Sequence, residues 1–202
     1  MKKFCIIDLE FCVIPKSRRL VKGIANEIIE LGAVIMDENF NVISTYSSYV
    51  RPSFGGILNR YIRDLTGISH SDLCNAPDAY EVIGNLISMI DDSTAIVTWG
   101  DCDTRVIDDE LFLDYYSTGR DDIPEWFYDA LDDYIDCQMI FSDIMETKKL
   151  YSLYEALVIS DVKIDGRLHT AFADASNTAT LFKKTQVEEE FVFSPYFLPA
   201  AV

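Results

Sequence analysis

Two carboxylates, Asp8 and Glu10, close an apolar run, Phe4-Cys5-Ile6-Ile7, near the start of the chain. Such a run reads as a strand buried on both faces of a sheet. The two-residue period of a strand puts both acids on one face, side by side at its C-terminal end. Acids held that close repel unless a proton or a cation lies between them. A divalent cation with oxygen ligands, Mg²⁺ or Mn²⁺, fits that need. A strand that simply ends in two solvated acids is the other reading, and this stretch alone leaves both open.

A second acidic pair, Asp101 and Asp103, follows the short apolar segment 95–99, again where a strand ends and a helix begins. Ligands of open α/β sheets bind at such strand ends. One acid of the pair fits as a helix N-cap, which leaves the other as the informative one. Late in the chain His169 precedes Asp174 by five positions. Five positions turn about 140° on an ideal helix, so the two would not share a face if both were helical. His169 is therefore expected in a loop and Asp174 inside the following helix. Taken singly, His169 reads as an ordinary surface or core histidine and Asp174 as a solvated helix acid. Lys16, Arg18, Arg19 and Lys22 put four of the 17 Lys and Arg residues just after the first acid pair. They form either a solvated loop or one that steers phosphates.

These side chains need a scaffold to bring them together. After the first strand, 27–36 and 42–50 read as two more, so that three early strands form an antiparallel meander. Helical spacing follows over 58–65, stopped by Gly67, and over 77–90. The strand 95–99 leads to a helix with Val106, Ile107, Leu111 and Leu113 on its inner side. Residues 117–128, with Pro124, read as a polar loop. A short strand near 134–136 precedes helices over 138–145 and 150–159. In the last helix Ala171, Ala175, Ala179 and Phe182 recur at helical spacing, small enough for close packing on the sheet.

Composition excludes several classes. With 202 residues, 49% hydrophobic and 12% aromatic, the chain suits one domain over 1–187 and a tail over 188–202 packed on it or on a partner. The net charge of −17 weighs against an extended nucleic-acid groove. Five cysteines, odd in number and without a C-x-x-C, argue against a disulfide framework or zinc ribbon. No segment approaches the roughly 18 apolar residues of a membrane span, and the N-terminal apolar run is too short for a signal peptide. A reduced, cytoplasmic protein without membrane association is expected.

In order, Asp8-x-Glu10, then Asp103, then His169-x4-Asp174 resemble the DEDDh (DnaQ-like) 3′→5′ exonucleases. Framing sequences extend the resemblance over nearly the whole chain: Glu27-Ile-Ile-Glu-Leu-Gly32, Tyr49-Val-Arg-Pro52, Leu65-Thr-Gly-Ile68, Ile135-Asp-Cys-Gln138 and Gly166-Arg-Leu-His169. They are most similar to the subgroup holding the animal histone-mRNA 3′ exonuclease and the bacterial KapD exonuclease. The resemblance implies an α/β, ribonuclease H-like fold: a mixed five-stranded sheet, its first three strands antiparallel, flanked by helices. It also implies two divalent ions, Mg²⁺ or Mn²⁺. Asp8, Glu10 and Asp174 would hold the first, with Asp8 bridging to the second and Asp103 completing it. His169 would be the general base. Two such ions can stabilise both ends of an in-line displacement at phosphorus, and an imidazole suits water activation near neutral pH.

The resemblance is not uniform. Many relatives carry Thr after the first motif, where this chain has Phe11-Cys12. Phe11 is open to stacking beneath a terminal base or to core packing. Asp103 matches the family acid that opens the helix, leaving Asp101 to support it or to cap. Arg167, with Arg18 and Arg19, is a candidate for the scissile and upstream phosphates. The implied activity is a metal-dependent 3′→5′ exonuclease on single-stranded ends, with RNA favoured by the subgroup. A DNA exonuclease, a short-oligonucleotide phosphodiesterase and a non-catalytic binding module on the same fold are the alternatives. All five catalytic positions are filled, which argues against the last, and the oligomeric state is not legible.

Overall fold

The first strand, expected from its apolar run, is the middle of the sheet. The computed structural model describes residues 2–187, so the tail expected over 188–202 lies outside the described residues. Five strands, β1 (Lys3–Val13), β2 (Asn26–Met36), β3 (Val42–Tyr49), β4 (Thr94–Thr98) and β5 (Ile135–Asp136), lie in the order β3-β2-β1-β4-β5. β1 pairs antiparallel with β2, and β2 with β3. β4 runs parallel to β1, and β5 parallel to β4. This is the mixed, ribonuclease H-like sheet that was expected. Helices flank it: α1 (Arg60–Thr66), α2 (His70–Leu73), α3 (Ala79–Ile87), α4 (Cys102–Thr118), α5 (Glu125–Asp132), α6 (Cys137–Ile144), α7 (Leu153–Ile159) and α8 (Ala171–Val187).

Alternation along β1 divides its neighbours. Cys5, Ile7 and Leu9 face a core built from α3, α4 and α5, including Val82, Leu86, Ile107 and Phe127. Phe4 and Ile6 face α8, where Ala175, Ala179 and Phe182 pack on them. Asp8 and Glu10 continue this second face beyond the apolar part. Cys12, next in the same series, joins Leu58, Ile62 and Leu73 in a smaller cluster under α1 and α2. The acids thus lie between two packed regions on one side of the sheet.

Close approach of α8 to β2 depends on Gly32, where a Cβ would run into the backbone of Ala171 and Phe172. Glu30, two residues earlier, fixes the contact: its Oε2 accepts the Ala171 N–H at 3.0 Å. Together they set where the last helix begins.

Three helical boundaries differ from expectation. The loop expected over 117–128 contains the end of α4, a left-handed Gly119 cap (φ 76°) and the start of α5. Pro124 begins a helix rather than a loop, because proline has no N–H to leave unpaired there, and Phe127 and Leu131 bury one turn apart. The helices expected from 58 and 150 begin later, where caps are available. Asn59 accepts the Ile62 N–H at 3.0 Å, and Ser152 with Glu155 forms a capping box. The short α2, absent from the sequence reading, starts where Asp72 accepts the Ser69 N–H at 2.8 Å.

Candidate active site

Three elements deliver the four acids. β1 carries Asp8 and Glu10, the first turn of α4 carries Asp103, and the first turn of α8 carries Asp174. Asp103 is buried and accepts the backbone N–H of Leu9, which lies between Asp8 and Glu10 in the strand. One bond thereby fastens the start of α4 to the acidic edge of β1. Ligand atoms of Glu10, His169 and Asp174 all lie within 4.8 Å of one another.

The electrostatics follow from this crowding. Burial pushes the Asp8 carboxyl well above its usual range, and the charges of Asp103, Asp174, Glu10 and Glu30 push it further. Glu10 rises to about 8, first through burial and then through Asp174, Glu30 and Asp103, with Arg167 opposing. Asp103 rises to about 7, again chiefly through burial, although the Leu9 N–H favours its charge. Burial likewise raises Asp174, against the bond and charge of His169. The group as folded holds protons that isolated carboxyls would release.

Asp174 divides its two oxygens. Oδ2 accepts the His169 N–H at 2.9 Å, while Oδ1 is buried with no hydrogen-bond partner. A buried carboxylate oxygen without a donor is costly, and a cation would satisfy it. The oxygen-rich donor set suits a hard divalent ion. The residues present therefore fit a metal centre.

His169 is exposed and adopts φ 63°, in the left-handed region that a non-glycine residue occupies only when its surroundings hold it there. Those surroundings are explicit. Asn177, one turn beyond Asp174 on α8 and buried, clamps Asp165: its Oδ1 accepts the Asp165 N–H and its amide donates to the Asp165 carbonyl, each at 2.9 Å. Arg167 donates to the carbonyls of Leu65 (2.9 Å) and Asp64 (3.3 Å) at the end of α1. The loop is tied to α8 at both ends and to α1 in its middle.

The turn before α4 is held from β5. Asp136 accepts the Gly100 N–H at 3.2 Å and the Met139 N–H at 3.0 Å, and Gln138 donates to the Tyr151 carbonyl at 2.8 Å. The framing sequence 135–138 is thus a brace for the helix that presents Asp103.

Not every candidate from the sequence converges here. Asp101 occupies the N-cap position of α4 but makes no side-chain capping bond; it is exposed, 4.0 Å from Arg105. The expected cap is therefore absent, although Asp101 charge still raises Asp103. Phe11 alternates to the opposite face of β1 and packs against the core there, away from the acids. Arg18 reaches the Gly55 carbonyl at 3.5 Å and Arg19 the Ile14 carbonyl at 3.0 Å, so both engage loop backbone. Arg167 is the cation that acts on Glu10.

Three buried acids escaped the sequence reading, Glu27 and Glu30 inside the apolar run of β2 and Glu110 at the end of the acidic triplet 108–110 on α4. Glu30 pairs across the ladder with Glu10 and anchors α8. Glu27 accepts the N–H groups of Ser53 (2.6 Å), Phe54 (2.5 Å) and Gly56. Glu110 accepts the Ile28 N–H at 2.7 Å. Charge inside a buried strand was the available signal for Glu27 and Glu30.

Among the described residues no helix is long and apolar enough to cross a membrane. The RNase_T exonuclease family model matches residues 5–182. The curated protein "ERI1 exoribonuclease 2" of Danio rerio is 26% identical over 184 residues, covering 80% of this chain and 32% of that protein. The chain thus spans about a third of that relative's length. Among solved structures, the nuclease domain of 3′hExo, a DEDDh family member, bound to rAMP, superposes with a TM-score of 0.71 at 21% identity, covering 96% of each chain. A 3′-exonuclease structure describing 3′-end recognition of the histone mRNA stem-loop gives a TM-score of 0.71 at 20% identity, over 95% of this chain and 66% of that one. E. coli Exonuclease I with a dT13 oligonucleotide gives 0.67 at 15% identity, over 93% and 41%. At these identities the structures establish the shared fold, while the family match spans nearly all the described residues. The chain belongs to the RNase_T exonuclease family.

Proposed function

We propose that residues 2–187 form a metal-dependent 3′→5′ exonuclease domain that removes nucleotides from the 3′ end of single-stranded nucleic acid, with RNA preferred. The observation that carries the reading is the divided carboxylate of Asp174: one oxygen holds the His169 loop, the other is buried and unpaired, and the carboxylate offers a ligand atom within 4.8 Å of one on Glu10. Asp8, Glu10, Asp103 and Asp174 would hold two divalent ions, Mg²⁺ or Mn²⁺, which when bound stabilise charge on the phosphoryl and leaving oxygens.

The chain's own residues supply the rest. His169, at the exposed rim, accepts the proton of the attacking water. The water oxygen bonds to phosphorus as the P–O3′ bond breaks, and the leaving oxygen takes up a proton. The products are a nucleoside 5′-monophosphate and a strand one nucleotide shorter. Arg167, whose charge acts on Glu10, would meet the scissile phosphate, while Arg19 braces its own loop. The names of the ERI1 relative and of the histone mRNA complex support RNA over DNA. Five free cysteines suit a reducing, cytoplasmic setting.

The direct test follows 5′-labelled single-stranded RNA and DNA oligomers with Mg²⁺, Mn²⁺ or EDTA, with Asp8→Ala as control. A metal-dependent ladder shortening from the 3′ end, lost in the variant and faster on RNA, is expected. Silence on both polymers from folded, metal-binding protein would shift the reading to short oligonucleotides, which the net charge of −17 also suits.

A further inference from the structure

The chain carries a net charge of −17, yet one groove has no carboxylate among its described lining residues. It has a volume of about 550 Å³ and lies beside α1 and α2, with Arg18, Arg51 and His70 at its rim and Ile57, Leu58 and Leu73 along its apolar part. The neighbouring cavity, about 460 Å³, shares Arg51 but is lined by Asp78, Glu110 and Asp114. Carboxylates line the neighbouring cavity and are absent from the described lining of this groove.

The groove continues the acidic face. Cys12 follows Asp8 and Glu10 in the two-residue alternation of β1, and its Sγ lies directly under Gly56, where a Cβ would strike it. Val13 then bridges to Ile57. Three residues of strand, about 10 Å, separate Glu10 from that bridge. A strand whose 3′ end sits at the acids can reach the groove with the nucleotides that come before it.

The walls are prepared for such an occupant. The Glu27 carboxylate accepts the N–H groups of Ser53, Phe54 and Gly56 and so sets the shape of the loop along the groove. Arg18 lies across Gly55, whose φ of 94° admits no ordinary side chain. Arg51 donates to the Ala76 carbonyl at 3.3 Å. A guanidinium has five donors, and both arginines remain exposed, so phosphate oxygens can be met bidentately. Ile57, 41% exposed, offers apolar surface to a base.

We propose that this groove binds the upstream nucleotides of a single-stranded substrate, Arg18 and Arg51 taking phosphates while Ile57 and its apolar neighbours receive a base. The assignment rests on the exonuclease reading of the acidic centre. It gives a strongly acidic protein a grip on an anionic polymer, confined to a short basic track.

The experiment compares wild type, Arg18→Ala/Arg51→Ala and, as a control elsewhere on the surface, Lys149→Ala. Cleavage is measured on an RNA dinucleotide and an RNA dodecanucleotide, and anisotropy in EDTA reads dodecanucleotide binding without hydrolysis. The double variant is expected to lower the long-to-short ratio of kcat/KM about tenfold. It should also weaken binding, with a salt slope shallower by about 1.4, as two lost single-strand phosphate contacts require. The control should keep the wild-type ratio. Unchanged ratio and unchanged salt slope in the double variant would overturn the proposal. So would an unchanged ratio with altered sedimentation, which would assign the groove to a second copy of the chain. A wild type that shortens neither RNA would overturn the reading of the acidic centre, and the groove with it.

Discussion

Glu27 and Glu30 lie three residues apart on β2, each holding a backbone donor, and they stand beside two acidic regions with opposite surroundings. Around Glu27 the buried acids are answered by the protein: Glu27 by three backbone N–H groups, Glu110 by Ile28, and Asp114 by Arg120 and Thr118. Beyond Glu30 the acids mostly face one another. Asp8, Glu10, Asp103 and Asp174 raise one another's protonation, and Asp174 keeps one buried oxygen with no donor. Buried carboxylates whose oxygens have protein donors act as joints of the scaffold. Carboxylates crowded together without enough donors mark the place where something cationic belongs.

The contrast breaks first at the crowded group. Asp8→Asn is expected to lower nucleolytic rate about 10³-fold, as removal of a principal electrostatic contributor does. Its metal-free melting temperature should stay level or rise at pH 8, since a repelling charge is gone. A fall in both would make Asp8 a joint like Glu27. His169→Ala should cost about 10²-fold in rate, with an unchanged circular dichroism melt.

At the other group the effects reverse. Glu27→Ala leaves three N–H groups without their acceptor and should destabilise by about 3 kcal/mol, read from urea unfolding, while protein that remains folded still binds divalent ions. Loss of ion binding with stability intact would erase the distinction.

Protons and divalent ions should compete only at the crowded group. Its raised carboxyls bind protons more tightly folded than unfolded, so they cost the metal-free protein stability as pH rises from about 4, their unfolded range. For Glu10 the cost extends to about 8, where that carboxyl ionises. Mg²⁺ or Mn²⁺ at about 100 times its Kd should add about 2.7 kcal/mol at pH 8, and clearly less at pH 5.5. An equal shift in thermal melts at both pH values would contradict this.

The smallest effect belongs to Glu110, buried and pushed up to about 8 mainly by its burial. Glu110→Gln keeps an acceptor for the Ile28 N–H and removes a charge that forms only at high pH. Its melting temperature should match wild type at pH 6 and exceed it slightly at pH 9. A loss at both would mean that the Ile28 bond needs the ionised form.

Legibility in the sequence followed the range of the interactions. Asp8 and Glu10 could be placed on one face because strand alternation is a local rule, and Ala175, Ala179 and Phe182 on an inner stripe because helical periodicity is another. Pro124 misled because proline breaks a helix interior yet opens a helix well, and the difference lies in whether Phe127 and Leu131 find a core. Asp101 and Asp103 were equivalent as letters. Docking of α4 against β1 buried one beside Leu9 and left the other by Arg105 in solvent.

By itself, then, the sequence determined the order of the strands and of the longer helices, the ordered acids and histidine, and the family they mark, because each is written in neighbouring residues or in a motif. Tertiary structure alone decided which carboxylates are joints and which are crowded. Glu27, Glu30 and Glu110 find donors 26, 141 and 82 positions away. Only packing decides whether a donor at such a distance reaches an oxygen or leaves it unpaired.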